Sequence, residues 1–195
     1  MNKTRFKSNR YAAIVALLIA MFALSPLAMA QEPQGYAEVI DGVLTFYWDA
    51  DRDSRTGKTY SIPGPNQRPA WSGTDTAPNE STTKVVFDPS FINCEIQGCY
   101  DWFRQCTKLT TIEGLVDLGM SFEQPYTVNV NATYNPALVK QSAWNVVNTV
   151  YDFVTNNGAG NGSTLNFSGF NWVWDEGEQA NLIAAANAKG WNIAF

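Results

Sequence analysis

From Thr127 to Phe195 the chain carries the same strand–helix unit twice and then a third strand. Thr127–Val130 reads as a strand by its β-branched content and is followed by Asn135-Pro136 and an apolar stretch at helical spacing. Thr164–Phe167 is followed by Asp175-Glu176 and a second such stretch, and Asn192–Phe195 reads as the last strand. A strand plus a helix recurring every ~20–40 residues is the pattern of a stacked solenoid. Such stacks bury a continuous core between neighbours and expose extended binding surfaces, so the pattern points away from an enzyme.

The helices have their own punctuation. Asn135 is placed to cap the first, with Pro136 at the favoured first helical position. Leu138, Ala143, Val146, Val147, Val150, Tyr151 and Val154 then fall on one face, and the Gly/Asn-rich stretch 156–163 ends the helix. In the second unit Asp175 and Glu178 have capping-box spacing. Leu182, Ile183, Ala186 and Trp191 carry the buried face, and Gly190 supplies the left-handed residue beyond the helix.

Upstream, Tyr36–Ile40 and Val43–Trp48 flank Asp41-Gly42, a strong signal for a two-residue hairpin turn. Lys58–Ile62 reads as a third strand, giving an N-terminal β-meander, and Pro63–Ser81 as a loop rich in proline and glycine. Thr83–Phe87 and Lys108–Ile112 read as strands about one solenoid period apart.

Residues 1–30 are expected to be a signal peptide. Lys3, Arg5, Lys7 and Arg10 precede an apolar run from Tyr11 to Leu24, and Ala28-Met29-Ala30 supplies a small-x-small cleavage pattern before Gln31. The expected location is therefore the cell surface or the extracellular space, with the periplasm as the other exported compartment. No later apolar run is long enough for an integral membrane segment. The leader holds four of the thirteen basic residues and none of the eighteen acidic ones, so the remainder carries a net charge of −9. That charge argues against nucleic acid and anionic membrane surfaces as partners.

There is no histidine. Serine–histidine and cysteine–histidine nucleophile systems, histidine zinc sites and the usual neutral-pH general base are thereby removed. Paired carboxylates remain as a route to glycoside hydrolysis. The densest acidic group, Asp175, Glu176 and Glu178, sits on one helical turn, where a capping role explains it. Asp49, Asp51 and Asp53 are spaced like calcium-loop ligands, but Ser54 and Tyr60 replace the glycine and glutamate such a loop needs. A solvated turn is the expectation; no metal and no cofactor are called for.

Three cysteines lie close together in a chain expected to be exported. Cys94 and Cys99 could close a local disulfide, leaving Cys106 as a small buried residue. Phe170, Trp172 and Trp174 alternate with Asn171 and Val173 just before a helix. They could form a ligand-binding platform or pack as core. Trp71, in the proline-rich loop, is expected to be exposed and is the fourth candidate ligand-binding residue.

Several stretches resemble BspA-like leucine-rich-repeat surface proteins of Bacteroides-type bacteria. They are Gly42–Trp48 with Ser54–Gly57 and Thr59-Tyr60, Lys84–Phe91, Trp102–Leu115, and Ala188–Ile193. The chain departs from that family in holding essentially one Phe-x-x-Cys-x-x-Leu repeat, Phe103–Leu109, and in the added pair Cys94 and Cys99. The resemblance implies an α/β fold: an N-terminal β-meander and loop over 31–82, then a short leucine-rich-repeat-like solenoid of strand–helix units over 83–195, closed by a capping strand. It further implies a non-catalytic, adhesion-type protein that binds an extracellular protein or glycan. A structural or assembly component of the envelope is the alternative, and a carboxylate-dependent glycoside hydrolase a third. Asp75-Thr76-Ala77 is similar to the O-glycosylation motif of such secreted proteins, with Thr76 as the acceptor. Oligomeric state is left open.

Overall fold

Asp41-Gly42 does what its composition demands. Both residues take positive φ, 49° and 80°, and join β1 (Gln34–Ile40) to β2 (Val43–Asp49) as an antiparallel hairpin. Here and throughout, the structure is a computed structural model; it describes residues 31–64, 66–96, 101–114, 125 and 127–195. The expected leader, Cys99 and most of the 114–125 stretch lie outside the described residues.

The meander is not formed. β3 (Lys58–Ser61) pairs antiparallel with β1 rather than with its sequence neighbour β2, whose far edge is taken by β4 (Lys84–Phe87) in parallel. β5 (Thr111–Glu113) adds to β4, completing a five-stranded mixed sheet in the order β3-β1-β2-β4-β5. The register aligns Leu44, Val85 and Ile112 in one inward row, and Phe46 with Phe87 in the next. All five are buried.

The expected solenoid is likewise corrected. β6 (Thr127–Asn129), β7 (Thr164–Asn166) and β8 (Asn192–Ala194) form a separate three-stranded parallel sheet in sequence order. A solenoid needs one continuous ladder, and among the described residues the ladder stops at β5. The outward groups of that strand are taken by helix α1 (Gln141–Thr149) instead. The Ile112 N–H donates to Ser142 Oγ at 3.1 Å, Asn145 Nδ2 donates to the Ile112 carbonyl at 2.8 Å, and the Val139 N–H to the Thr110 carbonyl at 2.9 Å. Helix side chains thus satisfy an edge that a further strand would otherwise pair.

The helices also start later than their sequence signals. Asn135 caps nothing: it is fully buried, and its Nδ2 donates to the carbonyls of Phe103 (2.8 Å) and Cys106 (3.3 Å). The periodic stretch breaks after Thr149, and a short helix α2 (Phe153–Asn157) follows, capped by the Asp152 carboxylate on the Thr155 N–H. Val154, expected inside, is exposed. Helix α3 (Glu178–Ala188) is preceded by Gly177 in a left-handed conformation, and Asp175 does not act as its N-cap. Half of the capping box survives, because Glu178 Oε2 accepts the Asp175 N–H at 3.0 Å. Gly190 takes the expected positive φ of 83° and turns the chain into β8.

One hydrophobic core runs under both sheets. Its densest part is aromatic. Phe46 stacks on Phe87 (4.5 Å between centroids) and Trp102 (5.0 Å), and meets Trp71 edge-on at 5.3 Å. Trp71 therefore corrects the expectation of an exposed ring: it is 2% exposed, and its indole N–H donates to the Trp102 carbonyl at 2.9 Å. The loop that carries it is pinned by Gly73 N–H to the Arg104 carbonyl and Asn79 N–H to the Gln105 carbonyl. Much of the loop is exposed, but its tryptophan is drawn into the core.

Candidate binding surface

β7 delivers Phe167 to the core, and Gly169 then turns the chain at φ 82°. Between Gly169 and α3, Phe170, Trp172 and Trp174 are half-buried while Asn171, Val173 and Asp175 are exposed. The alternation sorts the segment into a row of rings and a solvated face. Phe170 and Trp172 stack at 4.2 Å and 8°. Trp174 meets Trp172 edge-on at 5.8 Å and Phe195 at 5.3 Å. The structure thus brings three of the four expected ligand-binding residues together and leaves Trp71 in the core.

The members of this row differ in how they are held. The Trp172 indole N–H donates to the Leu138 carbonyl at 3.0 Å, which ties the ring to the fold. The Trp174 indole N–H has no hydrogen-bond partner among the described residues, so it can be offered outward. Val173 beside it is 85% exposed, an unusual degree for a large apolar residue.

A polar brace that the sequence did not signal stands behind the row. Lys140 Nζ donates to the Val173 carbonyl at 2.9 Å, pairs with Glu178 Oε2 at 2.5 Å, and lies 5.5 Å from the Trp174 ring centroid. Glu178 Oε1 accepts the Trp144 indole N–H at 3.2 Å. The Lys140 hydrogen bond, then the Asp175 N–H, hold the Glu178 carboxyl below the usual carboxylate range. The folded state favours the anion. Its contribution is full above the unfolded carboxylate range and is lost as pH falls through the lower folded value. Acid titration followed by tryptophan fluorescence should show that loss, and Glu178→Gln, weaker at neutral pH, should lack it.

A second carboxylate cluster lies on the first sheet. Asp49 accepts the Tyr36 hydroxyl (2.6 Å) and pairs with Arg55 (2.5 Å), which also lies 3.9 Å from buried Glu38. Burial opposes ionisation of Asp49, but hydrogen bonds from Tyr36, the Asp51 N–H and Arg55 outweigh it and draw its pKa down. Burial first, and the Asp49 hydrogen bond second, push the Tyr36 hydroxyl up to about 12. Arg55 thus bridges Asp49 and Glu38, and Asp49 is engaged in this clamp. Among the described residues no group of His, Cys, Asp or Glu could hold a metal ion.

Thr76 is exposed in the tight turn where Thr74 and Ala77 bridge, while Asp75 is turned back onto Arg104 at 2.7 Å and Gln105 at 3.0 Å. Cys106 is buried with its thiol pushed up to about 12, chiefly by burial. Cys94 carries a free thiol, likewise raised to about 11 by burial; Cys99, its expected partner, lies outside the described residues. Cys94 borders a cleft of about 270 Å3 with Gly35, Trp48, Ile62, Pro63 and Glu95.

Fold and surface together define a mixed α/β protein of two sheets that presents a braced, half-exposed aromatic row. No family model, no curated protein and no solved structure matches the chain. No helix among the described residues is long and apolar enough to cross a membrane.

Proposed function

We propose that this protein is an exported, non-catalytic binding module that engages an extracellular protein or glycan through Phe170, Trp172 and Trp174. The observation that carries this reading is Trp174: a half-exposed indole with an unpartnered N–H, beside a fully presented valine, held from behind by the Lys140–Glu178 pair. Rigid aromatic rings supply contact area at low entropic cost, and an indole N–H adds a directional donor. The resemblance of the short motifs to BspA-like surface proteins and the basic-then-apolar leader support export and adhesion.

A binding screen against extracellular-matrix proteins and a glycan array tests it, with Trp174→Ala beside the parent. Loss of one or more anchor rings typically costs ~2 kcal/mol or more of affinity, so binding should fall about 30-fold while the fold is kept. Trp71→Ala is the control that weakens the core instead. A saturable hit indifferent to Trp174 would remove the row from the reading. The exposed apolar residues Val139, Val173 and Phe195 favour a second reading, an assembly component of the envelope. Concentration-dependent oligomers in light scattering, abolished by Val173→Ser, would select it.

A further inference from the structure

Trp48 is unlike the other six tryptophans. Among the described residues each of the others either meets another ring or places its indole N–H on an acceptor. Trp48 does neither, and its backbone N–H donates to Ser90 Oγ at 3.1 Å. It lines the cleft beside Ile62, Pro63 and Cys94, at the end of the first sheet where β1 begins and β2 ends. Gly35 shapes the floor: a Cβ there would sit 2.2 Å from Cys94 Sγ, so only glycine lets the thiol pack flat and keep the cleft open. The thiol is held protonated and supplies no charge at neutral pH. The sole ionic group in the lining is Glu95, exposed and without an ion pair among the described residues.

We propose that this cleft receives the guanidinium of an arginine side chain presented by a partner polypeptide. Three features converge on that occupant. Among the described residues the lining offers an indole ring and one carboxylate and no cation. A guanidinium is planar, stacks on tryptophan, and pairs with a carboxylate through directed N–H donors. The net charge of −9 on residues 31–195 draws cationic partners toward it. The cleft volume of about 270 Å3 falls below the ~300 Å3 lower end of small-molecule sites, which suits one side chain rather than a cofactor. This site is separate from the aromatic row and does not rest on it.

The test is an NMR titration of the 15N-labelled protein, reading the indole N–H of Trp48, assigned by its disappearance in Trp48→Phe. The probes are Nα-acetyl-arginine methylamide and its neutral isostere Nα-acetyl-citrulline methylamide. Arginine should move that resonance saturably, with a Kd of roughly a millimolar, and citrulline should bind about tenfold more weakly. Glu95→Gln, an exposed change that leaves the fold intact, should erase the difference between the two probes. No saturable shift with arginine, or equal shifts with arginine and citrulline in the parent protein, overturns the proposal.

Discussion

Replacing Phe46 with alanine should remove about 4 kcal/mol of folding stability, the middle of the range for deleting a buried aromatic ring. Phe46 is fully buried and is the hub of the aromatic core, in contact with Phe87, Trp102, Trp71 and Phe91 at centroid distances from 4.5 to 5.4 Å. Those neighbours come from β4, a 310 turn and two loops, so none can move into the void without dragging backbone. Incomplete collapse is what makes such a cavity costly. Urea unfolding of the variant beside the parent measures it. Trp174→Ala, which trims a half-exposed ring, should stay within ~1.5 kcal/mol of the parent. A Phe46→Ala loss as small as that of Trp174→Ala would contradict the assignment of Phe46 to the centre of the core.

Gly190→Ala should cost about 3 kcal/mol, from two separable sources. Gly190 sits at φ 83°, where an L side chain is strained by ~1–2 kcal/mol. Its Cβ would also lie 2.5 Å from the Gly160 Cα, a backbone atom with no rotamer to yield, adding ~1–3 kcal/mol of overpacking. Gly158 isolates the first source, since its φ is 77° but a Cβ there meets nothing within 4 Å. Gly158→Ala should therefore cost only about 1 kcal/mol in the same unfolding assay. Equal costs at the two positions would mean that the chains at Gly160 and Gly190 can part freely.

The comparison of Gly190 with Asn135 shows which signals carried. Gly190, Asp41-Gly42, Trp191 and the strands around Val85, Val128 and Leu165 were legible because each depends on a short-range cause: a positive φ, a β-branched run, an apolar face. Asn135 and Asp175 had equally good local credentials as caps, yet neither caps a helix. Asn135 is drawn inward by the carbonyls of Phe103 and Cys106, some thirty residues away in sequence. A buried carbonyl left without a donor costs more than an exposed helix end that water can satisfy. The same asymmetry explains Trp71, which loop composition placed outside and the aromatic core took in.

The candidate surface divides similarly. Alternation in Phe170, Trp172 and Trp174 was visible, but not that Trp172 is tethered to Leu138 while Trp174 is left free. Glu178 was visible only as a capping-box residue, and Lys140 and Phe195 had no motif to announce them, because their roles beside the row exist only where two strand–helix units meet. Trp48 and Glu95, forty-seven residues apart in the chain, share the cleft for the same reason.

By itself, then, the amino-acid sequence determined the elements and their chemical limits: the hairpin, the parallel strand–helix units, a chain without histidine, an acidic surface and an abundance of rings. Strand order was decided only by tertiary structure. Whether β3 joins β1 or β2, and whether a strand or a helix covers β5, turns on competition for backbone donors and acceptors at sheet edges. Those edges look alike in sequence, and Ser142 and Asn145 closed the one a continuing solenoid would have used.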